Sequence, residues 1–302
     1  MKMTIKKKRI AFIINPISGT NNKYNIKSKI ENFFSNNDFD INITLTTKAG
    51  DATQFASQFS DEGYDAVIAV GGDGTVNEVV NGIKGKSIAM GIIPSGSGNG
   101  FARHIHIPLR TEKALKVISN LYTTEVDTIT INGRISVNVS GVGFDAMVAE
   151  KFQKLSKRGI SSYAKIIIKE LPKYESQTYK IIIDGKEIER NAFLVSIANS
   201  SQFGNNAYIS PKASITDGEI DLCIVNKFNK LETPIFAQRI MLGTVDRSKY
   251  VEIIRAKKIE IKQESNIYHL DGDAMTDGNK LIIKINPGAL NMIIPEKSKD
   301  KI

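Results

Sequence analysis

One acidic residue sits among three glycines and a threonine in Gly71-Gly72-Asp73-Gly74-Thr75. The apolar run 65–70 precedes it. Val76, Val79, Val80 and Ile83 follow at the i, i+3, i+4, i+7 spacing of a helix face, so the loop joins a strand to a helix. Glycine lets backbone approach a ligand with no Cβ in the way. The first N–H groups of a helix, at its positive dipole end, suit phosphate. A carboxylate beside phosphate repels it unless a cation lies between them, so Asp73 points to Mg²⁺ on a nucleotide or to a proton acceptor. A tight turn capped by aspartate is the structural alternative. The Gly-x-x-x-x-Gly-Lys-Ser/Thr pattern of a Walker loop is absent.

Two further loops repeat the geometry. Pro94-Ser95-Gly96-Ser97-Gly98-Asn99-Gly100 follows the apolar run 87–93 and leads into the helical "FARH", while "NPISGT" (15–20) follows the run 9–14. Ser97 offers a hydroxyl, and Asn99 an amide or a helix cap. Three Gly/Ser/Asn loops at three strand ends read together as a polyphosphate cradle.

Such loops need a scaffold. The runs 9–14, 41–46, 65–70 and 87–93 are short, apolar and rich in β-branched residues, which predicts buried parallel strands. Helical spacing recurs at Ala52, Phe55, Ala56 and Phe59, at the valines after Asp73, and over 111–122, where Thr111 can cap. Alternating strands and helices predict an open, Rossmann-like α/β sheet with ligand at the strand C-termini. After about residue 125 the pattern changes. Asn132-Gly133 and Asp184-Gly185 each join two strand patterns as hairpins, more strands follow, and only 146–171 and 231–243 read as helical. The second half is therefore expected to be an antiparallel β-sandwich. The expected domains are 1–127 and 128–302, with a cleft between them and with the last residues returning to the first domain.

Bulk properties narrow the classes. In 302 residues, 41% are hydrophobic and 24% charged, which fits a packed globular chain. One cysteine, Cys223, excludes an intrachain disulfide and suits a reducing cytoplasm. Three histidines without ligand spacing argue against a histidine metal centre. No apolar stretch is long enough to span a membrane, and "RIAFII" reads as a first strand rather than a signal peptide. The net charge of +9, with lysines at both ends, suits an anionic partner or merely solvated termini. Nothing favours nucleic acid.

The motifs "NPISG" (15–19), "GGDGTVNEVVNG" (71–82), "PSGSGNGFAR" (94–103), "SGVGFDA" (140–146), the stretch 199–225 and "HLDGDAM" (269–275) resemble, in order and over nearly the whole chain, the diacylglycerol kinase catalytic-domain family, specifically its soluble bacterial lipid kinases. The resemblance implies an α/β nucleotide domain followed by a β-sandwich, and ATP- and Mg²⁺-dependent phosphorylation of a lipid hydroxyl, with diacylglycerol the first expected substrate. It carries nucleotide contacts to Asn15, Thr46, Gly71, Gly72, Asp73, Gly74, Thr75, Val76, Asn77 and Ser97. It carries a structural Mg²⁺ to Asp217 with backbone oxygens of Ser214 and Glu219. The expected partner is a lipid substrate at an anionic membrane surface, met peripherally from the cytoplasm. A homodimer stays open.

Two departures matter. The family's catalytic base is the glutamate of Asp-Gly-Glu, and here the motif reads Asp271-Gly272-Asp273. The carboxylate of Asp273 starts one methylene, about 1.5 Å, further back. Asp273 is the expected base, directly or through water, with Asp271 as an alternative participant. The "GSGN" wording is closer to sphingosine kinases, but "GFDAM" places Met147 where those enzymes set an aspartate for the substrate amine. A free sphingoid base is therefore disfavoured, although Asp145 keeps a carboxylate in the same stretch. Other readings are a kinase of phosphatidylglycerol or ceramide, an NAD kinase-like enzyme, and a non-catalytic lipid- or nucleotide-binding protein. No second Asn-Glu follows Asn77-Glu78, against the NAD kinase reading. The basic, apolar 140–170 region reads equally as a bilayer contact and as a solvated helix.

Overall fold

Alternation of β-branched runs with helical periodicity from Lys8 to Asn120 gives a parallel sheet. Strands β1 (Lys8–Ile14), β2 (Phe39–Leu45), β3 (Ala66–Gly71) and β4 (Ala89–Pro94) lie in the order β4-β3-β1-β2. Ile10 pairs with Ile41 on one side and Ala66 on the other, and Val70 pairs with Ile93. Every residue of β3 and β4 is buried, as expected where helices cover both faces. Those helices are α1 (Tyr24–Phe34), α2 (Asp51–Asp61), α3 (Asp73–Gly82), α4 (Gly100–His104) and α5 (Thr111–Asn120). The apolar stripes read from the sequence face inward: α2 buries Ala52, Ala56 and Phe59, α3 buries Val76, Val79 and Val80, and α5 buries Ala114, Leu115 and Ile118. Each large side chain so buried contributes about 1.5–3 kcal/mol of transfer free energy.

The computed structural model describes residues 7–19, 24–35, 39–155 and 159–302. The chain forms two units, Met1–Val126 with Ala289–Lys301, and Asp127–Gly288 with Ile302. No helix among the described residues is long and apolar enough to cross a membrane.

The second unit is an antiparallel β-sandwich. Its strands come from β5 (Thr123–Ile131), β6 (Arg134–Ser136), β7 (Val139–Gly143), β8 (Gln177–Ile183), β9 (Lys186–Ala198), β10 (Ile220–Asn226), β11 (Val251–Ala256), β12 (Lys258–Lys262), β13 (Tyr268–Leu270), β14 (Asp273–Met275) and β15 (Lys280–Ile293). The order runs β14-β13-β7-β9-β8-β12-β15, with β10 also on β9 and β11 on β10. The first half of β9 pairs with β8. Its second half pairs with β7 and β10, so one long strand turns the sheet. Both hairpin signals are met: Asn132 and Gly133, and Asp184 and Gly185, all take positive φ. Three helices cover an apolar cluster that includes Phe144, Val148, Phe193 and Phe236: α6 (Phe144–Gln153), α7 (Ile160–Glu170) and α8 (Thr233–Met241). The single helical stretch expected over 146–171 is thus two helices, with 156–158 outside the described residues.

Candidate active site

Glycine brings the three loops of the first unit into contact. A Cβ on Gly96 would lie 2.5 Å from Gly72 Cα, and a Cβ on Gly19 would lie 2.0 Å from the Ser95 carbonyl oxygen. Only glycine permits that apposition, and Gly19 also holds a φ of +73°. Ser95 N–H donates to Gly71 O at 2.8 Å. Asn99, in the left-handed region, closes the 96–99 turn with its own amide: Oδ1 accepts from Gly96 N–H at 3.0 Å and Nδ2 donates to Gly96 O at 2.8 Å. Thr20, at the end of the first loop, lies outside the described residues.

Asp73 is the first residue of α3, after the extended Gly72, and its Oδ1 accepts the Phe101 N–H at 3.4 Å. The carboxylate thereby ties the second loop to the third. The intrahelical ladder starts with Val76 N–H donating to Gly72 O, so Gly74 and Thr75 lie in the first turn, where N–H groups have no acceptor inside the helix. Asn15 Nδ2 donates to Thr75 Oγ1 at 3.1 Å, joining the first loop to the second. Val76 is different: its N–H is used and its side chain is buried in the core. It supports the turn and offers a ligand nothing. Asn77 is bonded by its Oδ1 to Asn81. Thr46 is buried at the end of β2, its N–H donating to Ile14 O. The turn after it is held by Asp51, whose Oδ2 accepts from Thr47 N–H, Thr47 Oγ1 and Lys48 N–H at 2.7, 2.8 and 3.0 Å. Those bonds, first the Thr47 N–H, hold the Asp51 carboxyl below its usual range.

Ser97 lines a cavity of about 550 Å³ with Ser18, Gly19, Gly96, Lys29 and Arg103. Its size falls in the range of small-ligand pockets. Lys29 and Arg103 bring positive charge to it, Lys29 paired to Glu112 at 2.7 Å and Arg103 Nε donating to Gly98 O. Sequence reading singled out neither. Arg103 stood in a quoted motif, but only the fold shows that it turns back on the loop.

In the second unit the two aspartates of "DGD" separate. Asp271 is buried, and its carboxylate accepts from Ser136 Oγ at 2.5 Å and from the N–H groups of Val137 and Asn138 at 3.0 Å each. That is a turn anchor and not a base. Asp273 opens β14 with its side chain exposed, the arrangement a base needs to reach a substrate. Asp145 is buried and already bonded to His269, Ser196 and the Ala146 N–H, so the carboxylate left open for an amine is turned inward. Met147 packs against the apolar cluster under α6 to α8.

Asp217, Glu219 and Asp221 share one cation, Arg255, at 3.5, 3.4 and 3.6 Å. Asp217 Oδ1 accepts the Glu219 N–H, and Ser214 Oγ donates to Ile302 O. Burial pushes the Asp221 carboxyl up, and the charges of Asp217 and Glu219 add to it, against Ser210 and Arg255. Three carboxylates facing one guanidinium leave an excess of hard, anionic oxygen, which suits a cation such as Mg²⁺. No group of three or more His, Cys, Asp or Glu arranged to hold a metal occurs among the described residues, so backbone oxygens would have to complete a shell.

The sequence model of the diacylglycerol kinase catalytic domain matches residues 9–131, and that of the YegS C-terminal NAD kinase beta sandwich-like domain matches 138–294. A Staphylococcus aureus protein named diacylglycerol kinase is 31% identical, over 88% of this chain and 86% of its own. A Chromohalobacter salexigens protein named probable lipid kinase YegS-like is 30% identical, over 85% and 84%. A solved Bacillus anthracis structure superposes with a TM-score of 0.81 at 25% identity, covering 97% of this chain and 99% of that one. A second, of a diacylglycerol kinase from the same organism, gives 0.74 at 23% identity over the same shares, a likeness of fold alone.

Proposed function

The chain belongs to the diacylglycerol kinase catalytic-domain family and is a lipid kinase, and on that footing we propose that it transfers the γ-phosphoryl group of Mg²⁺-ATP to the hydroxyl of diacylglycerol, giving phosphatidic acid. The observation that carries the reading is the apposition of three strand-end loops around Asp73, beside a cavity bearing Lys29 and Arg103. Phosphoryl transfer needs positioning and charge neutralisation more than covalent help from the protein. Asp73 would hold the Mg²⁺ that accompanies the nucleotide, which would neutralise phosphate charge there. First-turn N–H groups at Gly74 and Thr75 take phosphate oxygens, and Asn15 fixes Thr75. The lipid oxygen attacks the γ-phosphorus, the bond to the β-phosphate oxygen breaks, ADP leaves, and the hydroxyl proton passes to Asp273.

A second metal is part of the reading. Asp217, with backbone oxygens of Ser214 and Glu219, would hold a Mg²⁺ that steadies its loop by relieving the excess negative charge there. No chemical step depends on it.

Diacylglycerol is preferred to a sphingoid base because Asp145 is spent on His269 and Ser196. The lipid is met at an anionic bilayer reached peripherally from the cytoplasm. Support comes from the segment entering and forming α8, where Leu231, Ile235, Met241 and Leu242 are exposed near Lys230, Arg239 and Lys249, and from α7, which exposes Ile160 and Ile168 beside Lys165 and Lys169. Apolar side chains with interspersed cations are the composition of an interfacial surface. The test incubates the protein with Mg²⁺ and labelled ATP against diacylglycerol, monoacylglycerol, phosphatidylglycerol, ceramide and sphingosine. Label is expected in phosphatidic acid, and is lost in Asp73→Ala. ATP bound but no lipid labelled would overturn the proposal. Full activity in Asp273→Asn would overturn the base alone.

A further inference from the structure

Asp273 lies between two backbone anchors, and both lead to α6. On one side, Gly272 N–H donates to His269 Nδ1 at 3.2 Å. On the other, Ala274 N–H donates to Gln153 Oε1, on the last residue of α6, at 3.2 Å. His269 in turn meets Asp145, in the first turn of α6, with Nε2 at 3.1 Å from Oδ2. An N–H can only donate, so Nδ1 must present its lone pair to Gly272. In a neutral ring the proton then sits on Nε2 and is given to Asp145. That carboxylate is held in place by Ser196 Oγ at 3.1 Å and the Ala146 N–H at 2.8 Å. His269 is 3% exposed and Asp145 7%, so the pair is shielded from competing water.

β14 needs such anchors. It is a three-residue strand at the sheet edge and, among the described residues, pairs with β13 alone, through His269–Ala274, Leu270–Asp273 and Tyr268–Met275. The turn entering it holds Asp271 and Gly272 at φ of +50° and +97°, a conformation that costs a non-glycine residue free energy and persists only when its surroundings enforce it. An aspartate also has one rotatable bond fewer than glutamate, so backbone position decides more of where its carboxylate lies.

We propose that His269, oriented by Asp145, and Gln153 are positioning residues that fix the backbone on either side of Asp273 and so set the reach of the base; this rests on the proposed role of Asp273. A displacement of about 1 Å at a reacting group can cost about 100-fold in rate. Neither residue touches substrate in this scheme, so the effect falls on kcat and leaves nucleotide affinity alone.

The experiment uses the whole chain with Mg²⁺-ATP and detergent-dispersed diacylglycerol. His269→Asn places Oδ1 where Nδ1 stands and keeps the acceptor for Gly272. His269→Gln keeps a donor toward Asp145 and loses that acceptor. His269→Gln is expected to lower kcat about tenfold or more with the KM for ATP unchanged, and His269→Asn to restore kcat to within about threefold of the starting protein. Gln153→Ala, at an exposed side chain, is expected to lower kcat severalfold in the same way, with Tm measured on the same sample. Equal losses in the Asn and Gln variants, or undiminished kcat in both His269→Gln and Gln153→Ala, would overturn the proposal while Asp273→Asn stayed inactive. An active Asp273→Asn would overturn the base assignment first, and this inference with it.

Discussion

Gly96→Ala is the sharpest perturbation of the nucleotide cradle. The added Cβ would lie 2.5 Å from Gly72 Cα and 2.9 Å from Asn99 Oδ1. Carbon contacts settle at about 3.5–4.0 Å, so the second and third loops must part by about 1 Å. Neither side yields cheaply: the near atom at Gly72 is backbone, and Asn99 is bonded twice to residue 96. Overpacking of this kind costs about 1–3 kcal/mol of stability, a fall in Tm of several degrees. The functional loss is expected to be larger. A 1 Å shift in a phosphate cradle can cost about 100-fold, so the Kd for ATP should rise, or kcat fall, by at least about tenfold. Calorimetric ATP titration and lipid phosphorylation, with Tm measured on the same samples, test this. Gly133→Ala is the control. It forces alanine to a φ of +84° in a hairpin with open space around the new Cβ, so it should lower Tm and leave ATP affinity alone. A Gly96→Ala protein that lost Tm but bound and used ATP normally would refute the cradle, leaving the glycine contact a matter of packing only.

Three more outcomes are expected. Leu231→Asp with Ile235→Asp should cut cosedimentation with phosphatidylglycerol vesicles more than tenfold while the Kd for ATP holds, because two apolar side chains worth about 1.5–3 kcal/mol each are withdrawn from the interface; undiminished cosedimentation would rule out that face. His104 is buried, and burial first, then the charge of His106, holds its pKa down to about 4 against 6.5 unfolded. The stability it contributes is complete above pH 6.5 and is lost as pH falls toward 4, roughly 2 kcal/mol of it by pH 5. Urea midpoints at pH 7 and pH 5 should show that loss, and His104→Leu should flatten it; an unflattened slope would assign it elsewhere. Millimolar Mg²⁺ without nucleotide should raise Tm by a few degrees in the starting protein and not in Asp217→Ala, since a ligand at 100 times its Kd stabilises by about 2.7 kcal/mol; equal shifts in both would remove Mg²⁺ from that loop.

The parallel sheet was legible because its signals are local. Ile10 to Ile14 and Ala66 to Val70 are buried on both faces, and such strands read as unbroken apolar runs whatever lies around them. The Asn132-Gly133 and Asp184-Gly185 turns were legible for the same reason, since two adjacent residues carry their whole conformational requirement. Helix α1 passed unread. Among its described side chains only Ile30 and Phe34 are buried, and Glu31 and Asn32 between them interrupt a short stripe. The candidate site divides likewise. Its glycines announced themselves, but the contacts that give them purpose, Gly72 on Gly96 and Gly19 on Ser95, join loops that sequence alone leaves apart. Asp145 and His269 are 124 positions apart, and each alone reads as one polar residue in an apolar stretch. In the proposed scheme their meeting braces the turn that carries the base. Asp271 is bonded to Ser136, Val137 and Asn138, His269 and Gln153 hold the two neighbours of Asp273, and the Asp273 side chain is exposed. A turn braced at three points compensates for a missing methylene only if reach, and not acidity, is what the glutamate of the family supplies. Asp273→Glu tests the brace: kcat should fall if the turn has been set for the reach of aspartate, and should hold or rise if it leaves room for the longer arm.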